Sequence, residues 1–143
     1  MGPAHILLIE DNPSDVYLTE QALHGSPLGS RLHVAEDGKR ALAFLHREGL
    51  YEEAPRPDLI LLDLNLPGMD GRHLLGEIKG NDGLRRIPII ILTNSTAESD
   101  VFMCYDLHAN CYIVKPVDFD TFESVIRQIE RFWFQYATLP AGD

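Results

Sequence analysis

Five short runs in this chain, most of them apolar at consecutive rather than alternate positions, limit its fold more than anything else does. They are Ile6-Leu7-Leu8-Ile9, Leu32 to Ala35, Leu59-Ile60-Leu61-Leu62, Ile87 to Leu92, and Cys111-Tyr112-Ile113-Val114. A strand with one wet face alternates apolar and polar residues. A strand apolar throughout is covered on both faces, as in a parallel sheet. Helix-length stretches separate the runs, starting near Pro13, Gly38, Gly71, Thr96 and Asp118. Pro13 suits a first helical position, and Asp118 precedes an apolar-periodic stretch as an N-cap does. Five strands alternating with five helices predict an α/β fold: a doubly wound five-stranded parallel sheet, right-handed crossovers, helices on both faces. The expected organisation is one domain over residues 1–143, with 5–117 as its strand–helix core and 118–139 as an extended last helix. The looser segments are the ends, Gly25 to Ser30, and Gly49 to Pro57.

Composition narrows the function. Acidic residues outnumber basic ones 22 to 12, for a formal net charge of -10, with no Lys/Arg cluster. Direct binding to nucleic acid therefore lacks its largest favourable term. No run approaches the roughly 18 apolar residues that span a bilayer, and no signal peptide is visible, so a cytoplasmic protein without membrane contact is expected. Cys104 and Cys111 form no CxxC, and Cys111 reads as a small core residue. The histidines (His5, His24, His33, His46, His73, His108) lack i,i+3 or i,i+4 partners, which leaves a histidine metal site unsupported.

In an open parallel sheet, ligands bind beyond the carboxyl ends of the strands. Glu10 and Asp11 leave the first run, Asp63 the third, Thr93 the fourth and Lys115 the fifth. Taken singly, a post-strand Asp is more often a turn former and a post-strand Lys a solvated side chain. Placed together, three carboxylates repel unless a cation joins them. Hard oxygen ligands suit Mg²⁺, which takes one or two protein carboxylates plus phosphoryl oxygens. Lys115 adds a positive point charge and Thr93 a hydroxyl. The set describes a pocket for a phosphoryl group on Asp63. Glu36 and Asp37 follow the second run, an edge strand, and are assigned to a turn.

The stretches Ile9-Glu10-Asp11-Asn12, Leu61 to Gly71, Ile91-Leu92-Thr93 and Val114-Lys115-Pro116 resemble the receiver domain of two-component response regulators. The likeness runs the length of the chain, in order and at normal spacing. It implies a flavodoxin-like sheet of order 2-1-3-4-5, with Asp63 as the phosphoacceptor. It also implies Mg²⁺ held by Glu10, Asp11, Asp63 and the backbone carbonyl of Asn65, with Thr93 and Lys115 on the phosphoryl oxygens. Glu10 stands where many members carry Asp, an accepted variant. The resemblance makes Lys115–Pro116 a cis peptide and places the switch on Thr93 and Tyr112. Tyr51 to Asp58, Leu84 to Pro88 and the aromatic tail also resemble the small response regulators of bacterial and cyanobacterial phytochromes. That implies a histidine kinase of phytochrome type as partner. Asn94 departs from the smaller or hydroxyl residue common at its position.

Phe119, Phe122, Ile126, Ile129, Trp133 and Tyr136 recur at spacings of 3, 4, 3, 4 and 3, a heptad-like seam that Val125, Phe132 and Leu139 widen. A helix of about 20 residues spans some 30 Å, more than a strand of about 5 residues covers. Phe132, Trp133, Phe134 and Tyr136 are therefore expected to overhang, and Phe119, Phe122, Ile126, Ile129, Phe132, Trp133 and Tyr136 to form a homodimer interface. Two other functions compete. A small hydrolase using Asp63 as nucleophile would need a substrate cleft, and no cap domain is legible. A flavin carrier of the same fold would need Gly, Ser or Thr in the acidic first loop.

Overall fold

The computed structural model describes residues 2–140. Its strands are β1 (His5–Ile9), β2 (Arg31–Ala35), β3 (Leu59–Leu62), β4 (Ile89–Thr93) and β5 (Cys111–Val114). Its helices are α1 (Pro13–His24), α2 (Gly38–Leu45), α3 (Gly71–Lys79), α4 (Glu98–Asp106) and α5 (Phe119–Arg131). The sheet has the expected order β2-β1-β3-β4-β5, and all four pairings are parallel. Ile9 is level with Ala35 and Leu62, Leu62 with Ile91, and Thr93 with Val114. The residues just past each strand therefore emerge on one rim.

Continuous apolar runs arise because successive side chains enter different layers. Leu7, Ile9, Ile60 and Leu62 pack with Ala41, Phe44, Leu74, Leu75, Ile78 and Cys104 from α2, α3 and α4. Ile6, Leu8, Leu59 and Leu61 pack with Ala22, Leu23, Phe122, Ile126 and Ile129 from α1 and α5. Every residue of β3 and β4 is buried, and each such Leu or Ile contributes about 1.5–3 kcal/mol relative to an exposed one. Cys111 is only half-buried, because β5 lies at the edge of the sheet. Asp37, assigned to a turn, caps α2 through the amide of Arg40, and Glu36 pairs with Arg40 at 3.0 Å.

The last helix departs from expectation. The α-helix ends at Arg131, and Phe132–Tyr136 form one π turn, closed by the amide of Ala137 on the carbonyl of Phe132 at 2.8 Å. A π turn widens the helix and re-aims its side chains. Here Trp133 and Phe134 turn back onto the α1/α5 core layer instead of overhanging. Phe122, Ile126 and Ile129, expected at an interface, are buried at 3%, 1% and 7% exposure. They cover the chain's own sheet, because α5 lies directly over it. Phe119, Phe132 and Tyr136 remain exposed. The peptide bond Lys115–Pro116 is trans, as are all others among the described residues. Trans is the lower-energy isomer even before proline, and Lys115 reaches its partners from it.

Parallel pairing also creates a contact invisible in spacing. Leu7 lies opposite His33, so His5 and His33 are diagonal neighbours with His5 Nδ1 and His33 Nε2 at 3.0 Å. Burial first, then the charges of His5 and Arg31, lowers the His33 pKa below its ordinary 6.5. Asp58 also faces the pair, accepting from the His5 amide. A depressed imidazole stabilises the fold above the unfolded-chain pKa, and that stability is lost as pH falls below it, because the unfolded chain takes up its proton first. His33→Gln should therefore flatten the decline of unfolding free energy between about pH 7 and pH 5, read by urea denaturation. An unchanged slope would remove His33 as its source.

Candidate functional site

The last residue of β4 and the residues just past β1, β3 and β5 meet in one pocket, where Glu10, Asp63, Thr93 and Lys115 are 2%, 6%, 0% and 7% exposed. One carboxylate oxygen from each of Glu10, Asp11 and Asp63 lies within 4.8 Å of the others, with Asp11 on the solvent side. Lys115 Nζ donates to Glu10 Oε1 at 2.6 Å and to Asp63 Oδ2 at 2.9 Å.

A third partner was not singled out from the sequence. Asp15, in the first turn of α1, accepts from the same Nζ at 2.6 Å. Asn12 caps that helix, its Oδ1 accepting from Ser14 and Asp15 amides, and so fixes the angle at which Asp15 faces the pocket. The signal was available: an acidic residue four after Asp11 on a helix whose start was already placed.

The electrostatics follow from one ammonium among four carboxylates. Glu10 is pushed up to about 7, first by burial and then by the charge of Asp63, against the pull of Lys115. Burial also opposes ionisation of Asp63, but hydrogen bonding and charge from Lys115, with the Asn65 amide, hold it below the ordinary carboxylate value. Burial would discharge Lys115; bonds from Asp15, Glu10 and Asp63 outweigh it and raise its pKa. Asp63 is thus the carboxylate that ionises more readily, and Glu10 the one that protonates more readily.

The loop after β3 is shaped for this. Asn65 donates its amide to Asp63 Oδ1 at 3.2 Å. Gly68 has φ +74, in the left-handed region. At Gly71 a Cβ would stand 2.6 Å from the Asp63 carbonyl oxygen, and the Gly71 amide bonds the Leu64 carbonyl at 3.0 Å. Only glycine lets α3 start so close to the Asp63 backbone. Opposite, Thr93 Oγ1 accepts weakly from the Ser95 amide at 3.5 Å, while the Tyr112 hydroxyl donates to the Ser95 carbonyl at 3.0 Å. Asn94 is exposed beside them.

The donor set fits a hard divalent cation: clustered carboxylate oxygens, open on the Asp11 side, with negative charge in excess. The family description "Response regulator receiver domain" matches residues 6–127. The chain belongs to the response regulator receivers. It is 47% identical over 140 residues to the response regulator Rcp1 of Synechocystis sp., covering 98% of this chain and 95% of that protein. The phosphorylated cyanobacterial phytochrome response regulator RcpA superposes with a TM-score of 0.94 at 46% identity, covering 98% of this chain and 100% of the other. The Mn²⁺-bound form of Rcp1 does so at 0.92 and 47%, covering 97% and 100%. This receiver is thus a two-component response regulator homologous to those of phytochrome signalling, with an acidic pocket for a divalent cation. Among its described residues, no helix is long and apolar enough to cross a membrane.

Proposed function

We propose that Asp63 accepts a phosphoryl group from the phosphohistidine of a phytochrome-type histidine kinase in a Mg²⁺-dependent reaction. The observation that carries this is Lys115 Nζ, held 2.9 Å from Asp63 at the rim where Thr93 also ends. An Asp63 carboxylate oxygen attacks phosphorus. The phosphorus–nitrogen bond breaks, its electron pair stays on the imidazole, and an acyl phosphate remains on Asp63. Glu10, Asp11, Asp63 and the Asn65 carbonyl would hold Mg²⁺, which would supply charge neutralisation. Lys115 neutralises phosphoryl oxygens from the other side, and the Thr93 hydroxyl moves to them, drawing on the Ser95 segment that Tyr112 holds. Water later hydrolyses the acyl phosphate, without turnover of added phosphate esters, in a cytoplasmic protein.

Beside the pocket, Pro13, Tyr17, Leu18 and Phe119 line an apolar depression in which Tyr17 and Phe119 are 59% and 72% exposed. A helix of the kinase docking there would bring its phosphohistidine to Asp63. That role separates Phe119 from the C-terminal aromatics. Signalling proceeds by protein contacts, since a net charge of -10 disfavours nucleic acid.

The test is transfer of labelled phosphate from an autophosphorylated phytochrome-type kinase, with and without Mg²⁺. Label should appear only with the cation, and its absence in both would defeat the reading. A homodimer through the end of α5 is the second part of the proposal, supported by Phe132 and Tyr136 at 55% and 69% exposure. Tyr136→Asp should shift sedimentation toward monomer at unchanged phosphoryl acceptance. An unshifted boundary would place the interface elsewhere.

A further inference from the structure

Ser95 lies two residues beyond the Thr93 hydroxyl, and all its hydrogen-bonding groups are engaged. Its amide reaches Thr93 Oγ1 and its carbonyl accepts from Tyr112. Its hydroxyl donates to Asp100 Oδ2 on α4 at 2.5 Å and accepts from the Ala97 amide at 3.3 Å. Asp100 is gripped in turn by Arg72 on α3, whose Nε and Nη2 donate to its two oxygens at 2.7 and 2.8 Å. Arg72 Nη1 and its own amide both donate to Asp70 Oδ1, at 2.9 and 2.8 Å. The Arg72 and Asp100 side chains are only 23% and 16% exposed, so this is a sheltered two-point pair. Arg72 and then Ser95 hold the Asp100 pKa down at about 2, consistent with a permanently ionised carboxylate.

The chain of contacts joins the two loops that must cooperate in phosphoryl transfer. Gly71 presses the start of α3 against the Asp63 backbone, and Arg72 is the next residue. From its guanidinium the path runs through Asp100 and Ser95 to the Thr93 hydroxyl. None of its side chains hydrogen-bonds the side chain of Glu10, Asp11 or Lys115, and its link to Lys115 is through backbone, the Lys115 amide donating to the Thr93 carbonyl at 2.8 Å. We propose that Arg72 and Asp100 are positioning residues for phosphoryl acceptance, fixing the Thr93–Ser95 segment against the Asp63 loop so that the hydroxyl meets the phosphoryl oxygens without a search. The inference rests on Asp63 being the phosphoacceptor. A pair that merely glued α3 to α4 would have no reason to act through Thr93.

Beryllofluoride, an isostere of the phosphoryl group, is the probe, titrated in saturating Mg²⁺; Mg²⁺ affinity is measured separately. Asp100→Asn should weaken beryllofluoride about tenfold and leave Mg²⁺ affinity within about twofold. Ser95→Ala, which leaves the ion pair between α3 and α4 intact, should do the same and covers the case in which Asp100→Asn fails to fold. In a Thr93→Ala background the Asp100 substitution should add nothing further, because the hydroxyl it positions is gone. Beryllofluoride affinity equal to wild type in both single variants would overturn the proposal. So would an equal loss of Mg²⁺ affinity, or a tenfold loss persisting without Thr93. If the wild-type protein itself binds no beryllofluoride, the phosphoacceptor reading fails instead.

Discussion

With Asp63 as the proposed phosphoacceptor, Asp63→Asn should reduce phosphoryl incorporation to background. The amide keeps the shape of the carboxylate, and its single carbonyl oxygen can still accept from either the Asn65 amide or Lys115, which in the wild type bond different oxygens, Oδ1 at 3.2 Å and Oδ2 at 2.9 Å. It lacks the negative oxygen that attacks phosphorus, so the loss is in chemistry rather than in folding. The protein should remain folded for a further reason. The charge of Asp63 is one of the causes that raise Glu10 to about 7. Removing it relieves a like-charge contact, so Glu10 ionises more easily and pairs more fully with Lys115. Thermal stability without divalent cation should therefore hold or rise, while affinity for the cation falls with one ligand oxygen lost. Phosphotransfer from the kinase, followed by mass spectrometry of the intact chain, separates these effects. Stoichiometric label on Asp63→Asn would mean that the phosphoacceptor is another residue.

Most of the fold and most of the pocket were legible in the sequence, for a physical reason. A parallel strand buried on both faces must be apolar throughout, and the residue ending it is the first permitted to be polar. Asp63, Thr93 and Lys115 stand out by contrast with Leu62, Leu92 and Val114. What was not legible depends on angles between elements rather than on order along the chain. Asp15 lies on the pocket side of α1 because Asn12 sets where that helix begins. His5 meets His33 only through strand register, across 28 positions of sequence. Arg72 and Asp100, also 28 apart, meet because α3 and α4 share one face of the sheet. The aromatic tail was misread because a heptad pattern assumes an unbroken helix. One π turn at Phe132–Tyr136 lays Trp133 and Phe134 against the core, so that Phe122, Ile126, Ile129 and Trp133 of the expected seam are packing while Phe119 and Tyr136 are surface.

Lys115→Met should produce the largest loss of stability in the molecule together with a large loss of function, and the two should respond differently to cation. Methionine fills much of the same volume but removes the ammonium that bonds Glu10, Asp15 and Asp63 at 2.6, 2.6 and 2.9 Å. Two of those carboxylates are nearly inaccessible, and stripping one partner from a buried ion cluster costs about 3–5 kcal/mol. The deficit has a defined pH dependence. Glu10 is raised even with Lys115 present, and without it rises further. A carboxyl raised in the folded state stabilises at low pH and loses that contribution as pH climbs through its folded pKa. Lys115→Met should therefore approach wild-type stability in acid and fall behind it toward neutrality. Added Mg²⁺ should raise the variant's own stability by about 2.7 kcal/mol at a concentration of a hundred times its Kd, because it offers the carboxylates an alternative positive charge. Phosphoryl acceptance should not return with it. On the proposed reading the ammonium would neutralise the phosphoryl oxygens, and losing such a donor slows transfer about 100-fold or more. Urea denaturation with and without Mg²⁺, beside initial labelling rates, reads both. Wild-type stability at neutral pH without cation would mean that Lys115 does not hold the carboxylates together; recovery of the labelling rate with Mg²⁺ would mean that its charge is interchangeable with the metal's.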